Sequence, residues 1–168
     1  QRLSRGLGDV YKRQGYIKNE TFDNLSVRNF QDSILINSLI PFLIIKKSLG
    51  HMKKNKWGRI VNTSSIGVKF GGGNQTFNYS VSKHLNEFIP KYIRDIYKYN
   101  ILYNVIRIGL TDTKIHLKIK NKIMKERINM IPIKRIGKPN EIADFINYIV
   151  DDKNKYITGQ ILDISGGE

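Results

Sequence analysis

No cysteine occurs among the 168 residues, so neither a disulfide framework nor a thiolate metal centre is available. Histidine appears three times, scattered, in no spacing that would chelate a metal, and no metal site is expected. Acidic residues are scarce, 14 against 29 Lys and Arg, which leaves a formal net charge of +15. Such a balance invites a nucleic-acid partner. The lysines, however, are spread along the chain with an excess of Ile and Asn, the trio that an AT-rich genome produces. No recognised nucleic-acid module is visible, so specific nucleic-acid binding is not expected. No apolar run of the ~20 residues that would span a bilayer is evident, nor a secretory leader. No internal repeat or interdomain linker appears. The expectation is one cytoplasmic domain with no membrane role.

What the chain does contain is concentrated in one stretch. Gly58-Arg59-Ile60-Val61-Asn62-Thr63-Ser64-Ser65 reads as a short buried strand ending in two serines. A glycine-rich connection, Gly71-Gly72-Gly73, leads to Asn78-Tyr79-Ser80-Val81-Ser82-Lys83. The crevice beyond the C-terminal ends of strands is where open parallel sheets bind ligands. Tyr79 and Lys83, spaced i, i+4, share one face of a helix that starts near Tyr79. A free phenol, with a pKa of about 10, is only ~0.1% ionised at neutral pH. An ammonium about 5 Å away at an effective dielectric of ~20 contributes roughly 3 kcal/mol, or about two pKa units. The expectation is that Lys83 lowers the Tyr79 pKa and makes it a general acid/base, with Ser65 holding a carbonyl or alcohol oxygen beside it.

Strand, Ser-Ser, glycine loop and Tyr-x-x-x-Lys, in that order and at close spacing, resemble the short-chain dehydrogenase/reductase family, particularly members like the 3-oxoacyl-carrier-protein reductases. The resemblance runs from about Gly15 to the C-terminus. It implies an α/β fold with a Rossmann-like doubly wound parallel sheet. It also implies an NAD- or NADP-dependent oxidoreductase interconverting a carbonyl and a secondary alcohol. Family members are longer, and no Gly-x-x-x-Gly-x-Gly turn is present near the start. Gly15 falls where the glycine of the family's Asn-Asn-Ala-Gly motif lies. Residues 15–168 are therefore expected to be the C-terminal portion of one such domain, lacking its N-terminal strands. Gln1 to Gln14, which include Asp9-Val10-Tyr11-Lys12-Arg13-Gln14, look like translated adapter sequence and are expected to lie outside it.

The same resemblance assigns roles. Tyr79 is the proton donor/acceptor, Lys83 lowers its pKa and binds the nicotinamide ribose, and Ser65 positions the substrate oxygen. Asn37 corresponds to the family's asparagine whose main chain holds a relay water. Pro41, four residues later, has no N–H, which leaves the Asn37 carbonyl without a helical partner. Gly109, Thr111 and Thr113 match the family's Pro-Gly segment that contacts the cofactor, although Ile108 stands where the proline is expected. Lys114, Lys118, Lys120, Lys122, Lys125 and Arg127 fall in the family's substrate lid. There they form either a basic face for a carrier-linked substrate or simply a solvated surface. A homodimer or homotetramer built on paired helices is implied.

Other punctuation is structural. Ser26 is expected to cap a long helix carrying Asn37 and ending near Gly50. Pro90 is expected to kink the helix that begins at Tyr79. A non-catalytic relative serving only as scaffold or binding protein is the alternative function. It has no need of Asn37, Ser65, Tyr79 and Lys83 together.

Overall fold

The computed structural model describes residues 9–11, 15–114 and 121–168. Four strands lie in the order β1-β2-β3-β4: Asp9–Tyr11, Gly58–Ser65, Ile101–Ile108 and Ile161–Ile164. All pairings are parallel, with Gly58 opposite Ile101, Ser65 opposite Ile108, and Ile108 opposite Ile164. Ile60 and Val61 of β2, and Tyr103, Val105 and Ile106 of β3, are buried on opposite faces, as a parallel sheet covered on both sides requires.

Successive side chains point to opposite faces of a strand, and two cores follow. On one face Ile60, Ile101, Tyr103 and Val105 pack with Ile45, Leu49 and Met52 of α2 (Ile40–Asn55). Ile93 of α4 (Lys91–Asp95) joins them. On the other, Val61 and Ile106 meet Ile149 of α6 (Pro139–Val150), flanked by Phe145 and Ile146. Each fully buried Ile or Leu contributes about 1.5–3 kcal/mol. The expected α/β architecture is the one observed. β1 takes up three of the residues expected to lie outside the domain. Strand pairing there uses only backbone groups, so it places no demand on which side chains those three positions carry.

Two helical expectations need correction. Ser26 does cap α1 (Val27–Ile34), its hydroxyl accepting from the Asn29 N–H. The helix then continues through a π-helical stretch, Leu35–Leu39, into α2, and passes Gly50 to end at Asn55. Lys56 stops it in the left-handed conformation at φ 48°. A Cβ added at Gly50 would meet nothing within 4 Å, and the helix runs on through it. Pro90 does not kink a continuous helix either. Helix α3 (Phe77–Leu85) closes before it, and Pro90 stands at the N-cap of α4, where its missing N–H costs nothing.

The run Val27–Asn55 is 29 residues long with a mean hydropathy of 1.4 in its most apolar part, enough by length and composition to cross a membrane. No such run was expected from the sequence. Its role in this fold is different. Ser33, Asn37, Ser38 and Ser48 are buried along it. Asn37 bonds Tyr16 and Ser82, and Ser38 bonds the Ser82 carbonyl. Hydrocarbon offers no such partners.

Candidate active site

The C-terminal ends of β2 and β3 carry the site. Ser65 closes β2 and caps the short 3₁₀ turn Ile66–Phe70, its Oγ accepting from the Gly67 N–H at 3.2 Å. After the glycine loop α3 begins. Gly72, at φ +84°, turns the chain so tightly that a Cβ there would sit 2.2 Å from Ser80 Oγ. Tyr79 is the third residue of α3 and Lys83 follows one turn later. The Tyr79 ring lies against Gly15, where an added Cβ would be 3.7 Å from Cε2.

The structure brings three of the expected residues together. The Ser65 hydroxyl lies beside the Tyr79 phenol, close enough to favour its ionised form. Lys83, only 3% exposed, places Nζ 5.7 Å from the Tyr79 ring centroid and donates to the Thr63 carbonyl at 3.1 Å. The electrostatics differ from the expectation. Burial pushes the Tyr79 phenol upward, with the Ser65 hydrogen bond acting in the opposite direction. Lys83 is itself pushed down to about 8 by burial. Desolvation of the phenolate therefore outweighs the attraction of the ammonium, and Tyr79 is a neutral, protonated phenol at pH 7.

Asn37 is fully buried and acts first as a pin. Its Oδ1 accepts from the Tyr16 N–H at 2.7 Å, and its Nδ2 donates to the Tyr16 carbonyl at 2.7 Å and to Ser82 Oγ at 2.9 Å. This fixes the segment after Gly15 beside Tyr79. The carbonyl expected to be free for water is not free: Asn86 Nδ2 donates to it at 2.8 Å. Pro41 announced an orphan carbonyl, but only the tertiary structure reveals its partner. Asn86 is thus a site residue that sequence reasoning missed.

Gly109, Thr111 and Thr113 continue the same sheet edge from β3. Gly109 has a packing reason to be glycine, since a Cβ there would lie 2.6 Å from Ser165 Cα. Thr111 is buried and donates to the Gly109 carbonyl at 3.0 Å, while Thr113 donates to the Thr111 carbonyl at 3.4 Å. These hydroxyls brace their own loop. A recess of about 150 Å³ opens beside them, lined by Thr111, Ile133, Arg135, Gly137 and Ser165 among others. Of the basic lid, Lys118 and Lys120 lie outside the described residues. Arg127 on α5 (Asn121–Met130) pairs with Glu168.

A second missed feature lies under the site. Glu87, with its side chain 4% exposed, accepts from Ser64 Oγ at 2.6 Å and from Arg107 at 2.8 and 2.7 Å. Burial alone would push this carboxyl up. The Arg107 fork, the Ser64 hydroxyl and the Arg107 charge outweigh it and hold it below the ordinary carboxylate range. Ser64 Oγ also lies 3.2 Å from the Lys83 carbonyl, so the network ties α3 to the sheet.

Residues 8–168 match the family described as Enoyl-(Acyl carrier protein) reductase. The chain is 29% identical over 166 residues to a 3-oxoacyl-[acyl-carrier-protein] reductase of Aquifex aeolicus, covering 98% of this chain and 66% of that protein. It is 31% identical over 154 residues to an acetoacetyl-CoA reductase of an Acinetobacter species, covering 91% and 62%. Among solved structures, a 3-oxoacyl (acyl-carrier-protein) reductase from Agrobacterium tumefaciens with NADP bound superposes with a TM-score of 0.83 at 21% identity, covering 92% of this chain and 62% of that one. The chain thus spans less than two thirds of the length of these relatives.

Proposed function

The chain belongs to the short-chain dehydrogenase/reductase family, and on that premise we propose that it is the catalytic part of an NAD- or NADP-dependent oxidoreductase. It reduces a carbonyl, small or carrier-linked, to a secondary alcohol. The observation that carries this reading is the Lys83 ammonium, buried 5.7 Å from the Tyr79 ring centroid and bonded to the Thr63 carbonyl, with the Ser65 hydroxyl beside the phenol at the end of a parallel strand. A nicotinamide nucleotide would supply the hydride to the carbonyl carbon.

The residues present fit such a group. Lys83 has three N–H donors and spends one on Thr63, leaving two for the vicinal hydroxyls of a ribose. With a pKa of about 8 it is still ~90% charged at pH 7. Thr111 and Thr113, whose O–H groups are spent on their own loop, would offer hydroxyl oxygens as acceptors and backbone N–H groups to the nicotinamide end. Ser65 and Tyr79 present two O–H groups to one substrate oxygen. As negative charge grows on that oxygen, the Tyr79 proton moves to it, and Lys83 stabilises the phenolate left behind. A phenol kept protonated by burial is the correct starting state for the reductive direction.

The assembly is part of the same proposal. Leu35, Leu39, Ile40, Leu43 and Ile44 form an exposed apolar stripe along the long helix, and Leu85 and Phe88 are exposed after Lys83. This face is the support for a homodimer or homotetramer.

The test is reduction of acetoacetyl-CoA with NADH and NADPH by the protein expressed with its complete coding sequence. Tyr79→Phe keeps most of the ring and removes the transferable proton. Turnover is expected to fall by about 10²–10⁴-fold with the melting temperature little changed. Near-normal turnover in Tyr79→Phe ends this reading.

A further inference from the structure

The Asn37 carbonyl, the Thr63 carbonyl and Lys83 Nζ are joined by a single nitrogen that has no role in the chemistry above. Asn86 Nδ2 lies 2.8 Å from the Asn37 carbonyl oxygen and 3.3 Å from that of Thr63. Thr63 is also the acceptor for Lys83 Nζ. Two carbonyl acceptors fix which way round the amide lies, because a flip would set Oδ1 against both oxygens. Asn86 is completely buried, and its Oδ1 has no hydrogen-bond partner. An unpartnered buried acceptor is a cost that a leucine at this position would avoid.

The origin of the arrangement is visible in the chain. Pro41 withholds the N–H that a regular helix would offer to Asn37, and the helix opens into the π-helical stretch Leu35–Leu39 around that carbonyl. Asn86, reaching across from just beyond α3, replaces the missing donor. Its oxygen has no accessible surface, so no water is seated beside it.

We propose that Asn86 is a positioning residue for the proton-transfer pair. Its amide plugs the Asn37 carbonyl against water and, through the shared Thr63 carbonyl, holds Lys83 under Tyr79. Tyr79 is then reprotonated from its Ser65 side, where both residues keep some exposure, rather than through the interior. The inference rests on the proposed reductase reading.

Two substitutions separate positioning from bulk. Asn86→Ala leaves room for a water that can donate to both carbonyls in place of Nδ2. Asn86→Leu fills the space and supplies no donor. With acetoacetyl-CoA and the preferred nucleotide, Asn86→Leu is expected to lower kcat at least tenfold and raise the nucleotide KM, whereas Asn86→Ala stays within threefold of the parent. Competitive acetylation of Lys83 by acetic anhydride gives a readout that needs no turnover. Labelling at pH 7 should rise several-fold in Asn86→Leu as Nζ leaves Thr63, and stay near the parent level in Asn86→Ala. The proposal is overturned if Asn86→Ala falls as far as Asn86→Leu, or if Asn86→Leu keeps parental kcat and Lys83 labelling. If Tyr79→Phe retains turnover, the reductase reading fails instead, and Lys83 labelling alone decides the positioning role.

Discussion

Lys83 serves two opposing demands. Its charge is useful only while the ammonium is kept, yet burial works against that charge and pushes its pKa from 10.5 to about 8. A shift of that size corresponds to a burden on the folded state of about 3 kcal/mol at most. The sign follows from proton counts. Between pH 8 and 10.5 the unfolded chain binds the proton and the folded chain does not, so stability rises across that window. Below pH 8 the burden is fully present. Lys83→Met, which keeps the stem and drops the charge, is therefore expected to raise the melting temperature at pH 7 while removing activity. Denaturant unfolding from pH 7 to 10.5 should show the rise in the parent and lose it in the variant. A Lys83→Met protein less stable than the parent at pH 7 would contradict this account.

Among the elements, the joint between the turn after α3 and the sheet depends on Glu87 and Arg107. With Arg107 present, the folded pKa of Glu87 lies below its usual 4.5. Its contribution to stability is complete above that value and is lost as pH falls through the depressed one. Arg107→Met leaves a buried carboxylate with only the Ser64 hydroxyl and the exposed His84 ring, 3.7 Å away, beside it, a change of the kind that costs about 3–5 kcal/mol. Burial then dominates and drives Glu87 upward, so the sign reverses: the variant should gain stability on mild acidification where the parent gains none. Urea melts at pH 7 and pH 5 distinguish the two. None of this was legible beforehand, because Ser64, Glu87 and Arg107 are far apart in sequence and each is unremarkable alone. Local signals were legible: the β2 strand, the Ser26 cap and the start of α3 near Tyr79. Misreadings arose at punctuation residues: the helix passes Gly50 and is ended by the left-handed Lys56, and α3 closes before Pro90 is reached. At Asn37 the missing donor was legible, but the side chain that supplies it was not.

For the molecule as a whole, the apolar stripe from Leu35 to Ile44 should govern association. Leu39→Lys with Leu43→Glu places charges in its middle, and a proposed dimer should dissociate to monomers in sedimentation velocity without loss of helical signal. An unchanged sedimentation coefficient would place the contact elsewhere. The π-helical stretch sets the phase of the core face of α2 relative to α1. A π turn contains one residue more than the α turn it replaces. Deleting any one of Leu35–Leu39 would let the backbone bonds close regularly, but it would rotate everything downstream by about 100°. Ile45, Leu49 and Met52 would then swing away from the sheet. Gene variants that differ by one codon between Ser26 and Gly58 should therefore fail a folding selection, whereas conservative exchanges along the same stretch pass. The extra residue thus acts as a unit of length that decides which face of α2 meets the sheet.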